Sequence, residues 1–178
     1  MPLTKIGEGS VDSASISRND AEALAQAVGA ALKSRQLDIA LAESCTGGLL
    51  TGALTAIPGS SDYVKGGVIA YSNEVKEQLL GVSSTTLRDH GAVSEPTARE
   101  MAEGVRQRLG TGIGVSVTGV AGPGGGSAEK PVGLVYIGVA TARGTRVRRD
   151  VWPGSRGDVR WASVRAALEL VLSSLDGP

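Results

Sequence analysis

The stretch Glu43-Ser44-Cys45-Thr46-Gly47-Gly48 sets a hydroxyl, a thiol and a second hydroxyl in succession, followed by two glycines. It lies where a short apolar run, Leu37 to Ala42, gives way to the helix-like residues Leu49 to Ile57. A strand that turns into a helix leaves the first N–H groups of the helix unpaired and pointing outward. Such groups bind an anion or stabilise the oxyanion of an acyl transfer. A nucleophile in that turn is chemically sensible. The plainer reading is a Ser or Thr that caps the helix, with glycine for the tight turn, and spacing alone does not separate the two.

A second stretch, Tyr71-Ser72-Asn73-Glu74-Val75-Lys76, follows the apolar run Gly67 to Tyr71. Lys76 falls about one turn into the helix expected there. If the two apolar runs are neighbouring strands, Lys76 and Ser44 open onto the same edge of the sheet. A neutral lysine in that place takes the proton of a serine hydroxyl. Its pKa must then fall from about 10.4 toward 7–8, by burial or a nearby cation. An exposed helix lysine is the alternative. A third stretch, Thr118-Gly119 through Gly126-Ser127, closes the apolar run Ile113 to Val117. Its glycines let a ligand approach the backbone. It lacks the Lys-Ser/Thr ending of a P-loop and opens no helix in the dinucleotide-binding manner, so a flexible lid over residues 124–129 is the plainer reading.

Composition narrows the chemistry further. Among 178 residues there are one Cys and one His. No disulfide forms within the chain, and a Cys/His zinc site lacks ligands. A hydrolase built on this chain therefore needs a base other than histidine. Cys45 has no evident base, and His90 sits in the turn Asp89-His90-Gly91; both read as structural. Lys+Arg and Asp+Glu are 18 each, which argues against direct nucleic-acid binding. Seven Arg nevertheless fall between Arg143 and Arg165, against Asp150 and Asp158. They form either a solvated face or a local attraction for an anion such as a phosphate. With five aromatic residues, ring stacking falls to Tyr63, Tyr71 or Tyr136. The longest apolar run, Val132 to Ala142, is too short to span a bilayer. No signal-like segment precedes residue 20, and a cytoplasmic protein with no membrane association is expected.

The elements that must position these groups follow from periodicity. Ser17 reads as a cap, with apolar residues from Ala21 to Leu32 at helical spacing over 18–34. Further helices are expected over 49–57, 74–80, 83–90, from Ser94 through Leu109, and over 157–175. Strands are expected at 37–42, 67–71, 113–117, 132–141 and 145–152, the last two as a hairpin around Arg143-Gly144. Helical crossovers join the first three strands and imply parallel neighbours. The architecture expected is an α/β fold: a three-layer α/β/α sandwich on a mixed, mostly parallel sheet of about five strands. Residues 1–17 read as a flexible tail and 18–178 as one domain.

With these residues placed, the chain resembles a known family. Ala42-Glu-Ser-Cys-Thr-Gly-Gly48, Pro58-Gly-Ser-Ser61, Gly66-Gly-Val-Ile-Ala-Tyr-Ser-Asn73, Lys76, Gly91-Ala-Val-Ser-Glu-Pro96, Thr118-Gly-Val-Ala-Gly-Pro123 and Lys130-Pro-Val-Gly133 occur together and in order. They are similar to the C-terminal domain of the competence/damage-inducible CinA proteins, a family that includes free-standing nicotinamide mononucleotide amidases of the PncC type. The likeness covers residues 20 to 175. It implies an α/β/α amidohydrolase that converts nicotinamide mononucleotide to nicotinic acid mononucleotide and ammonia, with no metal and no cofactor. It assigns Ser44 as nucleophile and Lys76 as base. The molybdopterin-binding-like module of longer CinA proteins is expected to be missing, along with its activity.

Joining both lines, N–H groups near Cys45, Thr46 and Gly47 are expected to hold the oxyanion, and Gly48 is expected to bind or orient the substrate. Tyr71, Asn73, Thr118 and Gly119 are expected to orient Lys76 or the substrate. A small-molecule nucleotide substrate and a homo-oligomer are expected as partners. The competing reading is a non-catalytic nucleotide-binding or protein-interaction module of the competence or DNA-damage type.

Overall fold

A computed structural model describes residues 13–176, with side chains from residue 20 onward. The chain runs α1 (Ser13–Ser34), β1 (Ile39–Glu43), α2 (Leu49–Thr55), a 3₁₀ turn (Ser60–Asp62), β2 (Val64–Ile69), α3 (Asn73–Leu80), α4 (Ser84–His90), α5 (Glu95–Leu109), β3 (Ile113–Gly119), β4 (Leu134–Thr141), β5 (Gly144–Val151) and α6 (Arg156–Leu175). The expected tail is a helix from Ser13, so Ser17 lies inside α1 and does not cap it. No apolar period marks those first residues. The rest of the expected tail, residues 1–12, lies outside the described residues.

The five strands form one sheet in the order β2-β1-β3-β4-β5. β1 pairs in parallel with both β2 and β3, and the β3-β4 and β4-β5 pairs are antiparallel. Only β4 therefore runs against the other four, as a mixed, mostly parallel sheet requires. The crossovers leaving β1 and β2 place their strands on opposite sides of β1, so the carboxyl end of β1 is a topological switch point, where open α/β sheets bind ligands.

The period of two along each strand builds two unlike layers. Ile39 and Leu41 of β1, Val115 and Val117 of β3, and Val135, Ile137 and Val139 of β4 join one core with the apolar faces of α1, α2 and α6. Ala40 and Ala42 point the other way, onto Leu80, Leu87, Met101 and Val105 of α3, α4 and α5. That second layer is thin because small residues line it. A Cβ on Gly114 would sit 2.2 Å from the Ala102 carbonyl oxygen, and one on Gly138 would sit 2.7 Å from that of Ala98. Ser116 fills the space between with a hydroxyl that donates to Ala98 O at 2.5 Å. A chain without Phe closes its core this way, by bringing α5 close to the sheet.

Candidate active site

Ser44 is the first residue beyond β1. Its N–H donates to Val117 O of β3 at 2.9 Å, while the N–H of Ala70, just past β2, donates to Glu43 O at 2.8 Å. The nucleophile candidate is thus clamped between the ends of its two neighbour strands. Lys76 comes from α3, whose first turn is capped by the Ser72 hydroxyl accepting from Val75 N–H at 3.3 Å. Its ammonium-bearing stem is 1% exposed. Nζ reaches three oxygens: Ala70 O at 2.7 Å, Ser44 Oγ at 3.3 Å and Tyr71 O at 3.4 Å. Burial lowers the Lys76 pKa below its ordinary value, opposed in part by the nearby Cys45 thiol. Ser44 is 8% exposed.

Glu43 settles which group caps α2. Alternation along β1 turns its side chain to the α2 face, where it is 1% exposed. One carboxylate oxygen accepts from the N–H of Gly48 and of Leu50, both at 3.0 Å; the other accepts from Thr51 N–H at 2.7 Å and from Thr51 Oγ1 at 2.6 Å. The expected Ser or Thr cap is therefore replaced by a carboxylate, with Gly48 at the cap position in the left-handed region, φ 94°. The N–H of Gly48 is occupied in this way, and that of Gly47 donates to Ser44 O at 3.1 Å. Of the three residues expected to hold an oxyanion, Cys45 and Thr46 alone keep N–H groups with no acceptor on another of the described residues.

Other expected site residues divide. Tyr71 is 64% exposed and its hydroxyl accepts from Arg156 Nη2 at 3.2 Å. Asn73 is exposed at the start of α3. The Thr118 hydroxyl donates to Ala92 O at 2.7 Å, so it ties the α4–α5 loop to the sheet, and the hydrogen bonds of Lys76 Nζ go elsewhere. Gly119 packs on β4: a Cβ there would lie 2.7 Å from Leu134 O. Tyr63 is buried and Tyr136 lies within β4, which leaves Tyr71 as the exposed ring near the site. The Cys45 thiol is buried, and burial pushes its pKa up to about 11.

The arginine-rich stretch splits in two. Arg148 pairs with Asp150 and Glu169 on the sheet's far edge. Arg156 and Arg160, one turn apart at the start of α6, instead face the serine turn. Arg156 Nη1 donates to Gly122 O at 2.8 Å, and Arg160 Nη2 donates to Thr46 O at 2.8 Å. Arg160 Nε and Thr46 Oγ1, both buried, have no hydrogen-bond partner. Spacing in the sequence does not reveal this convergence, because it depends on α6 crossing the end of the sheet. Among the described residues no group of three or more His, Cys, Asp or Glu is placed to hold a metal ion, and no helix is long and apolar enough to cross a membrane.

Fold and site together define a three-layer α/β/α domain with a buried serine–lysine pair at the switch point of its sheet. The chain belongs to the CinA C-terminal domain family, whose description matches residues 21–175. A CinA-like protein of Gemmatimonas aurantiaca is 57% identical over 135 residues, 76% of this chain and 32% of that protein. A CinA-like protein of Gloeobacter violaceus is 51% identical over 154 residues, 85% of this chain and 36% of that protein. The chain thus spans about a third of the length of these curated relatives. Among solved structures, the competence/damage inducible protein CihA of Agrobacterium tumefaciens is 45% identical with a TM-score of 0.83, covering 89% of this chain and 96% of that one.

Proposed function

We propose that this domain is an amidohydrolase that releases ammonia from the carboxamide of nicotinamide mononucleotide by a Ser44/Lys76 acyl-enzyme route. The observation that carries the reading is the buried Lys76 Nζ at 3.3 Å from Ser44 Oγ. A neutral amine has two N–H donors and one lone pair. The carbonyls of Ala70 and Tyr71 take the two donors, and the lone pair is left for the Ser44 hydroxyl proton.

In the first half-reaction Ser44 Oγ attacks the carboxamide carbon and its proton passes to Lys76 Nζ. The negative charge that develops on the carbonyl oxygen meets the N–H groups of Cys45 and Thr46. Lys76 then gives the proton to the leaving nitrogen, the C–N bond breaks and ammonia departs. Water attacks the resulting ester, its proton passes to Lys76, and return of that proton to Ser44 Oγ frees the acid. The sum is one amide and one water to one carboxylic acid and one ammonia.

The substrate's phosphate supplies the anion that the α6 arginines suit. Arg156 and Arg160 sit beside the serine turn and offer planar, forked donors for phosphate oxygens. Ammonia release from nicotinamide mononucleotide, assayed on the purified protein, tests the reading. Turnover lost in both Ser44→Ala and Lys76→Ala supports it. Binding of the mononucleotide with no ammonia released gives the site to a non-catalytic module instead.

A further inference from the structure

We propose that Glu43 is a positioning residue for this hydrolysis: its carboxylate holds the turn 44–48 in the one shape that presents the Cys45 and Thr46 N–H groups beside Ser44. The inference rests on the serine–lysine reading of the site. It is carried by the donor set around Glu43. Four donors converge on one fully buried carboxylate, two on each oxygen, and they come from Gly48, Leu50 and Thr51. None comes from residues 44 to 47.

The consequence is a division of labour along six residues. Glu43 takes the free N–H groups of α2, so this short helix offers no anion site of its own. The N–H groups of Ser44 and Gly47 are taken by Val117 O and Ser44 O. The amides of Cys45 and Thr46 remain, held between an anchored serine and an anchored Gly48. On the other side, Glu43 O accepts from Ala70 N–H, and Ala70 O accepts from Lys76 Nζ. One residue thereby links the oxyanion turn through its side chain and the lysine through its backbone.

Glu43→Gln isolates the side-chain role. Whichever way the carboxamide is turned, its NH₂ faces two of the four donors, because each carboxylate oxygen now accepts two. The turn must shift to relieve this. The expected result is a kcat for ammonia release lower by about 100-fold, the scale of losing an oxyanion donor, with KM changed less than about threefold. Pyridine-3-boronic acid is the second probe, since its tetrahedral Ser44 adduct carries the anion where the oxyanion forms. Its affinity should fall in step with kcat, while the pH at which kcat levels off, set by Lys76, stays in place.

A Glu43→Gln protein that is folded and keeps wild-type kcat and boronate affinity overturns the proposal, as does a loss confined to KM. If Glu43→Gln does not fold, Thr51→Val removes one donor to the same carboxylate and should lower kcat and boronate affinity together by several-fold; wild-type values in that folded variant also overturn it. A wild-type protein that binds the boronate but releases no ammonia from nicotinamide mononucleotide defeats the substrate assignment alone, and the boronate comparison still decides the role of Glu43. A wild-type protein that does neither defeats both.

Discussion

Lys76 Nζ stands 3.3 Å from Ser44 Oγ, and both side chains are buried where the α3 helix meets the end of β1. The approach depends on two turns meeting from opposite faces of the sheet. Ser44→Ala and Lys76→Ala should each lower kcat by about 1,000-fold or more, since nucleophile and base act as one unit and their losses do not add. Ser44→Ala should stay folded, since it removes one hydroxyl, whereas Lys76→Ala empties one of the largest fully buried side-chain sites and should also lower Tm. Lys76→Met keeps the stem and discards the buried amine, and it should match or exceed the wild-type Tm in a thermal melt. A Lys76 variant with normal turnover would rule the dyad out.

The pH dependence follows from the same burial. Lys76 works only when neutral, and burial lowers its pKa, so kcat should rise with pH and level off below the ordinary lysine value of 10.5. Stability carries the same sign. Between the lowered folded value and 10.5 the unfolded chain binds more protons at Lys76 than the folded one, so stability rises with pH across that interval. The rise should vanish in Lys76→Met, measured by denaturant unfolding at a series of pH values.

Cys45 acts in the opposite sense. Its folded pKa of about 11 lies above the ordinary 9.0, so the folded state keeps its proton longer than the unfolded chain does. Its contribution is complete below pH 9 and is lost as the pH rises through 11. Cys45→Ala should therefore flatten the alkaline fall in stability. In the native protein the thiol should react with Ellman's reagent at pH 8 far more slowly than after denaturation, because it is buried and protonated. Rapid native labelling would show that the turn opens.

How much of this was legible in the sequence varies by residue. The caps at Ser72 and Ser94 and the closing hairpin could be read because local chemistry decides them, whereas β2 runs from Val64 to Ile69 and not over the expected 67–71, its Gly66-Gly67 pair hiding the strand period. Ser44 and Lys76 could be paired because parallel neighbours with helical crossovers bring their carboxyl ends together. Glu43 was not legible as a cap. Its role depends on which face of β1 it takes and on α2 folding back over that face. The partner of Thr118 was not legible for a similar reason: a hydroxyl at a strand end suggests a ligand, and the fold brings the Ala92 carbonyl to it. Arg156 and Arg160 could be seen as charge but not as neighbours of Tyr71 and Thr46, 85 and 114 positions earlier.

The two α6 arginines should affect binding more than chemistry. Arg156 touches Tyr71 and the Gly122 carbonyl, and Arg160 touches the Thr46 carbonyl. Each charged donor to a phosphate contributes about 1.5–3 kcal/mol, or roughly 10- to 100-fold in affinity. Arg156→Ala should raise KM for nicotinamide mononucleotide by about that factor and change KM for nicotinamide riboside, which lacks the phosphate, far less. Equal losses on both substrates would remove Arg156 from the phosphate site. Arg160→Ala should lower kcat as well, because it also frees the Thr46 carbonyl next to an N–H of the oxyanion turn.

Gly104 tests whether the lysine depends on its distant support. It lies in α5, where a Cβ would sit 1.8 Å from Leu80 O at the end of α3. Nothing at that contact is flexible, since the obstacle is backbone. Gly104→Ala gains helix propensity within α5, worth about 1 kcal/mol, but must push α3 outward. Overpacking of this kind costs about 1–3 kcal/mol, so the net change should be destabilising. The outward shift also carries Lys76, four residues before Leu80, away from Ala70 O and Ser44 Oγ. Gly104→Ala should therefore lower both Tm and kcat, whereas Gly52→Ala in α2, where a Cβ meets nothing within 4 Å, should lower neither. A Gly104→Ala protein with reduced Tm but full kcat would show that Lys76 is held by its own hydrogen bonds and not by the packing of α3 on α5.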